Sequence, residues 1–294
     1  MGTTPFERQS AVTPDPGAAG HYRATMSDGW NAPVLPHGGM VTALAVRAMA
    51  AELSHPEQSL RSVTTVFAAQ VSPGPLDIDV TVLRRGRTMS QATATVRNRG
   101  DEAGHTAMAV FGAPRTGFSF TDLTFPSVPP PEQCRSFRDP APEGFAWART
   151  ASFWGKVESR MAMGSLPWDD WEPTTSERAY WYRFDEPPVD ADGAWDPAAL
   201  VVLCDTMPGA VGERMGPGIP MWFGPSADLT VHLLGRAVSP WLLAHNRARH
   251  ADEGYASVEM ALWDPAAGLV AYGTQMMFFS FPEGTPPAER LQPP

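Results

Sequence analysis

A few polar residues of this 294-residue chain stand inside or beside apolar runs, and these are the places where chemistry could be held. Gln275 interrupts LVAYGTQMMFF. A carboxamide buried there must find partners or costs about 1–3 kcal/mol. It is either a satisfied core amide or a group that holds a polar ligand. Asp205 follows ALVVLC and precedes Pro208. Asp ahead of a proline in a first turn reads as a helix N-cap, whereas a carboxylate within hydrogen-bond reach of a water reads as a general base. The stretch before Asp205 is itself helix-compatible, so both readings stay open. His37-Gly38-Gly39 leads into an Ala-rich segment. Glycines without Cβ let a ligand approach N–H groups at the positive end of a helix; the alternative is a tight turn.

Ser226 lies in GPSAD. That string lacks the second glycine of G-x-S-x-G and joins no strand to a helix, as a nucleophile elbow must. Ser226 is therefore either a turn residue after Gly224-Pro225 or a hydroxyl that holds a ligand. In an extended segment Ser226, Asp228, Thr230 and His232 share one face. A bulge or strand end is needed to bring Ser226 alone to a site, and Asp228 and Thr230 remain rivals.

The bulk properties narrow the partners. Apolar residues make up 43% and charged residues 18%, an ordinary globular composition. A formal charge of -10 disfavours nucleic acid and anionic membranes as partners. An anionic ligand would need local help, and Arg84-Arg85-Gly86-Arg87 is either a phosphate-meeting hairpin tip or a solvated turn. Two distant cysteines, Cys134 and Cys204, make neither a disulfide framework nor a metal site. No signal-peptide core and no membrane-length apolar run is present, so a reduced, cytoplasmic protein without metal or redox cofactor is expected.

These residues need elements to position them. The proline-rich segment 113–147 reads as a linker between two similar halves. Setting Met40 over Met207, an offset of 167 (207 − 40), brings Ala43 onto Ala210, Arg47 onto Arg214 and Val71-Ser72-Pro73 onto Val238-Ser239-Pro240. Ser90, Ala94 and Phe111 meet Ser257, Ala261 and Phe278. In the first half, 21–26 suits a strand and 38–53 a helix; SVTTVFAAQV, LDIDVTVLRR, MSQATATVRN and TAMAVFG suit strands. The second half repeats this with strands at 151–159 and 179–184, a helix over roughly 197–215, and DLTVHLL, PWLLAHNRAR, YASVEMALW and LVAYGTQMMFF. Its helix is apolar around most of its girth and must be buried on nearly all sides. An antiparallel sheet wrapped round such a helix buries it. The fold expected is α+β, a double hotdog: unit 1–112, linker 113–147, unit 148–283 and tail 284–294, with the two sheets joined edge to edge. At the same offset Asp205 falls over Gly38 and Gln275 over Met108, so the polar pair belongs to the second unit alone.

WNAPVLPHGGMVTALAVRAM resembles the helix-entry segment of acyl-CoA thioesterase II-type double hotdogs, and LCDTMPGAV, SADLTVHLL, GYASVEMALWD and GLVAYGTQ resemble that family's C-terminal unit. The resemblance implies hydrolysis of acyl-CoA thioesters by a water held between a carboxylate, a hydroxyl and a carboxamide. By position these fall on Asp205, Ser226 and Gln275, with serine where the best-known members have threonine. It implies that acyl-CoA is the partner and that a homodimer or higher homo-oligomer forms; the N–H groups at His37, Gly38 and Gly39 could then meet the thioester oxygen or the pantetheine arm, the alternative staying a tight turn. Two rivals share the fold. Asp28, Asn31, Pro33 and His37 echo the D-x-N-P-x-H pattern of hotdog hydratases at longer spacing, and a non-catalytic acyl-CoA-binding protein would leave Ser226 misplaced. Convergence of Asp205, Gln275 and one hydroxyl on a common point discriminates them.

Overall fold

The computed structural model describes residues 3–143, 145 and 151–284; the unit boundary expected at 148 and the tail from 285 onward lie outside these. A capping box opens α1 (Pro5–Gln9), where Thr4 Oγ1 accepts from Glu7 N–H at 3.2 Å and the Glu7 carboxylate accepts from Thr4 N–H at 2.7 Å. Then come β1 (Thr13–Pro14), β2 (His21–Met26), α2 (Gly38–Leu53), β3 (Ser59–Phe67), β4 (Gly74–Arg84), β5 (Met89–Asn98) and β6 (His105–Gly112). The second unit runs β7 (Arg135–Ser136), β8 (Val157–Met163), β9 (Glu177–Phe184), α3 (Pro197–Cys204), α4 (Gly209–Met215), β10 (Asp228–Leu233), β11 (Leu242–Asp252), β12 (Tyr255–Asp264) and β13 (Gly268–Phe278).

The thirteen described strands make one antiparallel sheet, ordered β1-β2-β4-β5-β6-β3-β10-β13-β12-β11-β9-β8-β7. Read outward from its centre, β3-β6-β5-β4-β2 on one side matches β10-β13-β12-β11-β9 on the other. Each unit is an antiparallel sheet wrapped round helix, and the two join edge to edge as the double hotdog requires. At the junction Thr64 pairs with Thr230, their Oγ1 atoms 3.0 Å apart. Fully buried Met40, Leu44, Met49 and Leu53 seat α2 on its sheet, each contributing about 1.5–3 kcal/mol. Every residue of α3 from Ala198 to Cys204 is buried.

Four sequence expectations need correction. The ladders match at an offset of 166, not 167: Thr64–Met108 in β3–β6 corresponds to Thr230–Thr274 in β10–β13 (230 − 64 and 274 − 108). Strand period is two, so a one-residue slip reverses every face. Met108 accordingly faces outward, 53% exposed, and the counterpart of Gln275 is buried Ala109. Second, the helix read over 197–215 is two helices, because Pro208 in a continuous helix would clash with the Cys204 carbonyl and donate no hydrogen bond. Third, 151–159 does not form one strand. Ser152–Gly155 is a 3₁₀ turn held to the first unit, with Ser152 Oγ accepting from Asn31 N–H at 3.0 Å and Phe153 N–H donating to Asn31 O at 3.1 Å. Fourth, β7, inside the segment read as linker, pairs with β8 at the sheet edge.

Within the linker, the stretch 125–134 lies on the outer face of the second unit. Phe125 lies between Trp181 and Trp263, with ring centroids 6.3 and 5.7 Å away, and Trp181 Nε1–H donates to Pro129 O at 2.9 Å. No described helix is long and apolar enough to cross a membrane. Phe125→Ala is expected to cost about 1–3 kcal/mol in chemical denaturation while turnover per folded molecule stays at the wild-type value.

Candidate active site

The break between α3 and α4 sets the site. α3 is capped at its start by Asp196, whose carboxylate accepts from Ala198 N–H at 2.9 Å. Asp205 is that helix's C-cap, so the N-cap reading of Asp205 within its own unit is wrong. Its carboxylate caps a different helix: Oδ2 accepts from Gly39 N–H, at the start of α2 in the first unit, at 2.7 Å. The glycines permit this approach. A Cβ on Gly39 would meet Val202 Cα at 2.8 Å and Asp205 Cβ at 3.1 Å; one on Gly38 would meet Phe67 Cε1 at 2.7 Å and Asp205 Oδ2 at 2.8 Å. The Gly39 amide, expected to face a ligand, is thus engaged by Asp205.

The other oxygen faces two polar side chains. Ser226 Oγ–H donates to Asp205 Oδ1 at 3.2 Å, and Gln275 Nε2–H donates to the same atom at 3.2 Å. Gln275 Nε2 and Ser226 Oγ are also hydrogen-bonded to each other. Gln275 is 3% exposed, and its Oε1 has no protein partner. Ser226 reaches the site through the irregularity the parity argument called for: it bridges Met277, one residue short of the Phe278 that the β10–β13 register would give. Its rivals are placed elsewhere. Asp228 accepts from Met276 N–H at 2.8 Å, Thr230 bonds Thr64 across the unit junction, and His232 is exposed.

Electrostatics suit a base. Burial pushes the Asp205 carboxyl up to about 7, against the opposing hydrogen bonds from Gly39 and Ser226. Burial holds His37 down at about 4, hence neutral at physiological pH. Cys204, next to Asp205, is buried and its thiol is raised well above its usual range, so it is inert. Among the described residues no three His, Cys, Asp or Glu stand together as metal ligands.

The hydratase-like set does not assemble. Asp28 is exposed on a 3₁₀ turn and Asn31 Nδ2–H closes its own loop on Val34 O at 2.8 Å, while His37 is buried. In the basic tip, Arg85 donates to Glu52 O at 3.0 Å and to Leu53 O, at the far end of α2 from Asp205, while Arg84 and Arg87 are exposed there. A cavity of about 450 Å³ opens at that same far end, lined in part by Leu53, His55, Gln58 and Phe111.

Two family models match the chain: the acyl-CoA thioesterase N-terminal domain over residues 26–112 and the acyl-CoA thioesterase C-terminal domain over residues 131–279. The chain belongs to the acyl-CoA thioesterase family. Solved structures agree. A hotdog-fold protein from Alicyclobacillus acidocaldarius is 27% identical with a TM-score of 0.76, over 95% of this chain and 99% of that one. A thioesterase candidate from Novosphingobium aromaticivorans is 25% identical with a TM-score of 0.72, over 91% and 98%. Acyl-CoA thioesterase II TesB2 from Mycobacterium marinum, 18% identical with a TM-score of 0.71 over 95% and 99%, shares the fold. Among curated proteins, no sequence matches.

For this thioesterase, sequence reasoning missed Phe67 and Phe153. Phe67 packs against Gly38 and meets buried His105 edge-on at 4.7 Å; Phe153 stacks under His37 at 4.3 Å. Neither carries a motif, and both reach the site only through strand ends and the 3₁₀ turn.

Burial of Asp205 has a stability consequence. Its folded pKa lies above its unfolded value of 3.8, so its contribution is fully present below about pH 4 and is lost as pH rises through about 7. Asp205→Asn should therefore melt higher than the wild type at pH 8, with the difference closing toward pH 4, read by thermal denaturation across pH.

Proposed function

We propose that this protein hydrolyses acyl-CoA thioesters to the free acid and CoA, using a water held by Asp205, Ser226 and Gln275. The observation that carries the reading is the convergence of Ser226 and Gln275 on Asp205 Oδ1, while Oδ2 is anchored by Gly39. A carboxylate so divided has one oxygen fixed to the scaffold and one turned to two polar side chains, among which a water would stand in place of the direct contacts. The unpartnered Gln275 Oε1 accepts from that water in this reading. The water oxygen adds to the thioester carbonyl carbon and its proton passes to Asp205. Collapse breaks the C–S bond, and the CoA thiolate takes the proton back from Asp205. A carboxyl near 7 suits both halves of that exchange, since a base works best near the operating pH, and an ordinary thiol titrates at about 8.5. The N-terminal amide of α2 at Gly38 is the proposed donor to the thioester oxygen. The first unit has buried Ala109 where the second has Gln275, which supports one site per chain.

A homodimer is part of the proposal. The stretch 125–134 packs on the outer sheet face of the second unit, but Val66, Met108 and Met276 near the junction remain exposed. Light scattering should give a mass well above 31.8 kDa; a mass at that value removes this part.

Asp205→Asn should keep the fold and lower acyl-CoA hydrolysis by about 100- to 10,000-fold, measured by thiol release over a panel of acyl-CoAs. Gln275→Ala should lower turnover as well, and the double variant should fall short of the product of the two losses, because both groups hold one water. In the wild type, kcat/KM should rise with pH through about 7 and level off above it, since the carboxylate form is the active one. Wild-type rates in Asp205→Asn would remove the assignment of Asp205 as the base.

A further inference from the structure

His37 stands apart from the groups used so far. It is the N-cap of α2 yet makes no side-chain capping bond. It is 4% exposed, its ring stacks on Phe153 at 4.3 Å with 19° between planes, and its Nδ1 has no hydrogen-bond partner. A buried polar atom left unpaired carries a cost and calls for an explanation. The nearest charged atom is Asp205 Oδ2, 3.6 Å from Nδ1. That is beyond a hydrogen bond and within reach of one after a small ring movement.

We propose that His37 is a positioning residue for the catalytic carboxylate: as Asp205 becomes ionised, His37 Nδ1–H closes on Oδ2 and gives the anion a hydrogen bond beyond those from Gly39, Ser226 and Gln275. This rests on the reading of Asp205 as the base. The geometry favours it over a substrate-binding role. Nδ1 points at the scaffold oxygen, the one Gly39 already holds, and not at the oxygen faced by Ser226 and Gln275. The stack on Phe153 fixes the ring plane.

Other groups facing Asp205 do not supply this bond. From α3 comes Cys204, a protonated buried thiol; from β13 and the segment before β10 come Gln275 and Ser226, both on Oδ1; from β3 comes Phe67, with His105 of β6 behind it. His37 stays neutral throughout, since burial holds it near 4, so it donates to the anion without competing for the proton.

The test is the pH profile of acyl-CoA hydrolysis. His37→Phe keeps an aromatic ring for Phe153 and removes the nitrogen. The acid-limb midpoint of kcat/KM should move up by about one unit, because a hydrogen bond to the charged form favours that form. The high-pH plateau should fall much less than in Asp205→Asn. His37→Asn, with an N–H near the Nδ1 position, should restore the midpoint. An unmoved midpoint in His37→Phe, or a His37→Asn profile like that of His37→Phe, overturns the inference. A measurement on the unaltered chain guards against misfolding. In histidine nitrogen NMR the His37 Nδ1 signal should shift with the kinetic midpoint in wild type and stay still in Asp205→Asn; a wild-type signal indifferent to pH overturns the inference too. The two failures separate cleanly. Wild-type hydrolysis by Asp205→Asn sinks the reading of the base, whereas a crippled Asp205→Asn beside an unshifted His37→Phe sinks only the role of His37.

Discussion

The hydrogen bond from Gly39 N–H to Asp205 Oδ2 joins the start of the first unit's helix to the end of a helix in the second. A helix N-terminus presents unpaired N–H groups and a partial positive charge, and here a carboxylate from the other half of the chain answers both. For that carboxylate to arrive, α3 must stop at Cys204, which Pro208 enforces. The start of α2 must also lack side chains, since a Cβ on Gly39 would strike the backbone of Val202. The β3–β10 junction then fixes the height of one unit against the other. Chain break, glycine pair and sheet junction serve one contact.

This contact divides the carboxylate in two. Oδ2 belongs to the scaffold, while Oδ1 meets Ser226 and Gln275. Holding it costs stability, because burial opposes the charge and only hydrogen bonds offset it. A group kept buried against its own solvation and lifted to about 7 fits a catalytic acid–base role better than a structural one. The second unit carries Asp205 and Gln275 on its inner surfaces, and the first supplies the helix terminus that Asp205 leans on.

Much of this was legible in the sequence where local rules suffice. The helix 38–53 was read to the residue because it is long, Ala-rich and free of proline, and β5 likewise because alternation and flanking turns bound it. The break in the second helix is not legible locally, because the apolar run continues past Asp205 and a proline there reads equally as a first-turn residue. The repeat is legible in the sequence, but its strand register is not. Identities in turns such as Val-Ser-Pro drew the offset to 167, while the ladders obey 166, and only backbone pairing reveals which face a strand residue takes. Asp205, Gln275 and Ser226 were named from a resemblance, and the parity of Ser226 called for a bulge that the Ser226–Met277 bridge supplies. His37 was marked as a substrate contact; that its unpaired nitrogen points at Oδ2 depends on two units meeting, which no single segment encodes.

The claim on which the account stands is that Asp205 activates a water and does not itself attack the thioester. A single turnover in heavy-oxygen water, with mass spectrometry of both the released acid and the Asp205 peptide, tests this most directly. The heavy oxygen should appear in the acid from the first turnover while the Asp205 peptide stays unlabelled. A first-turnover acid without the label, together with label in the Asp205 carboxyl, would mean an anhydride on Asp205 and would contradict it.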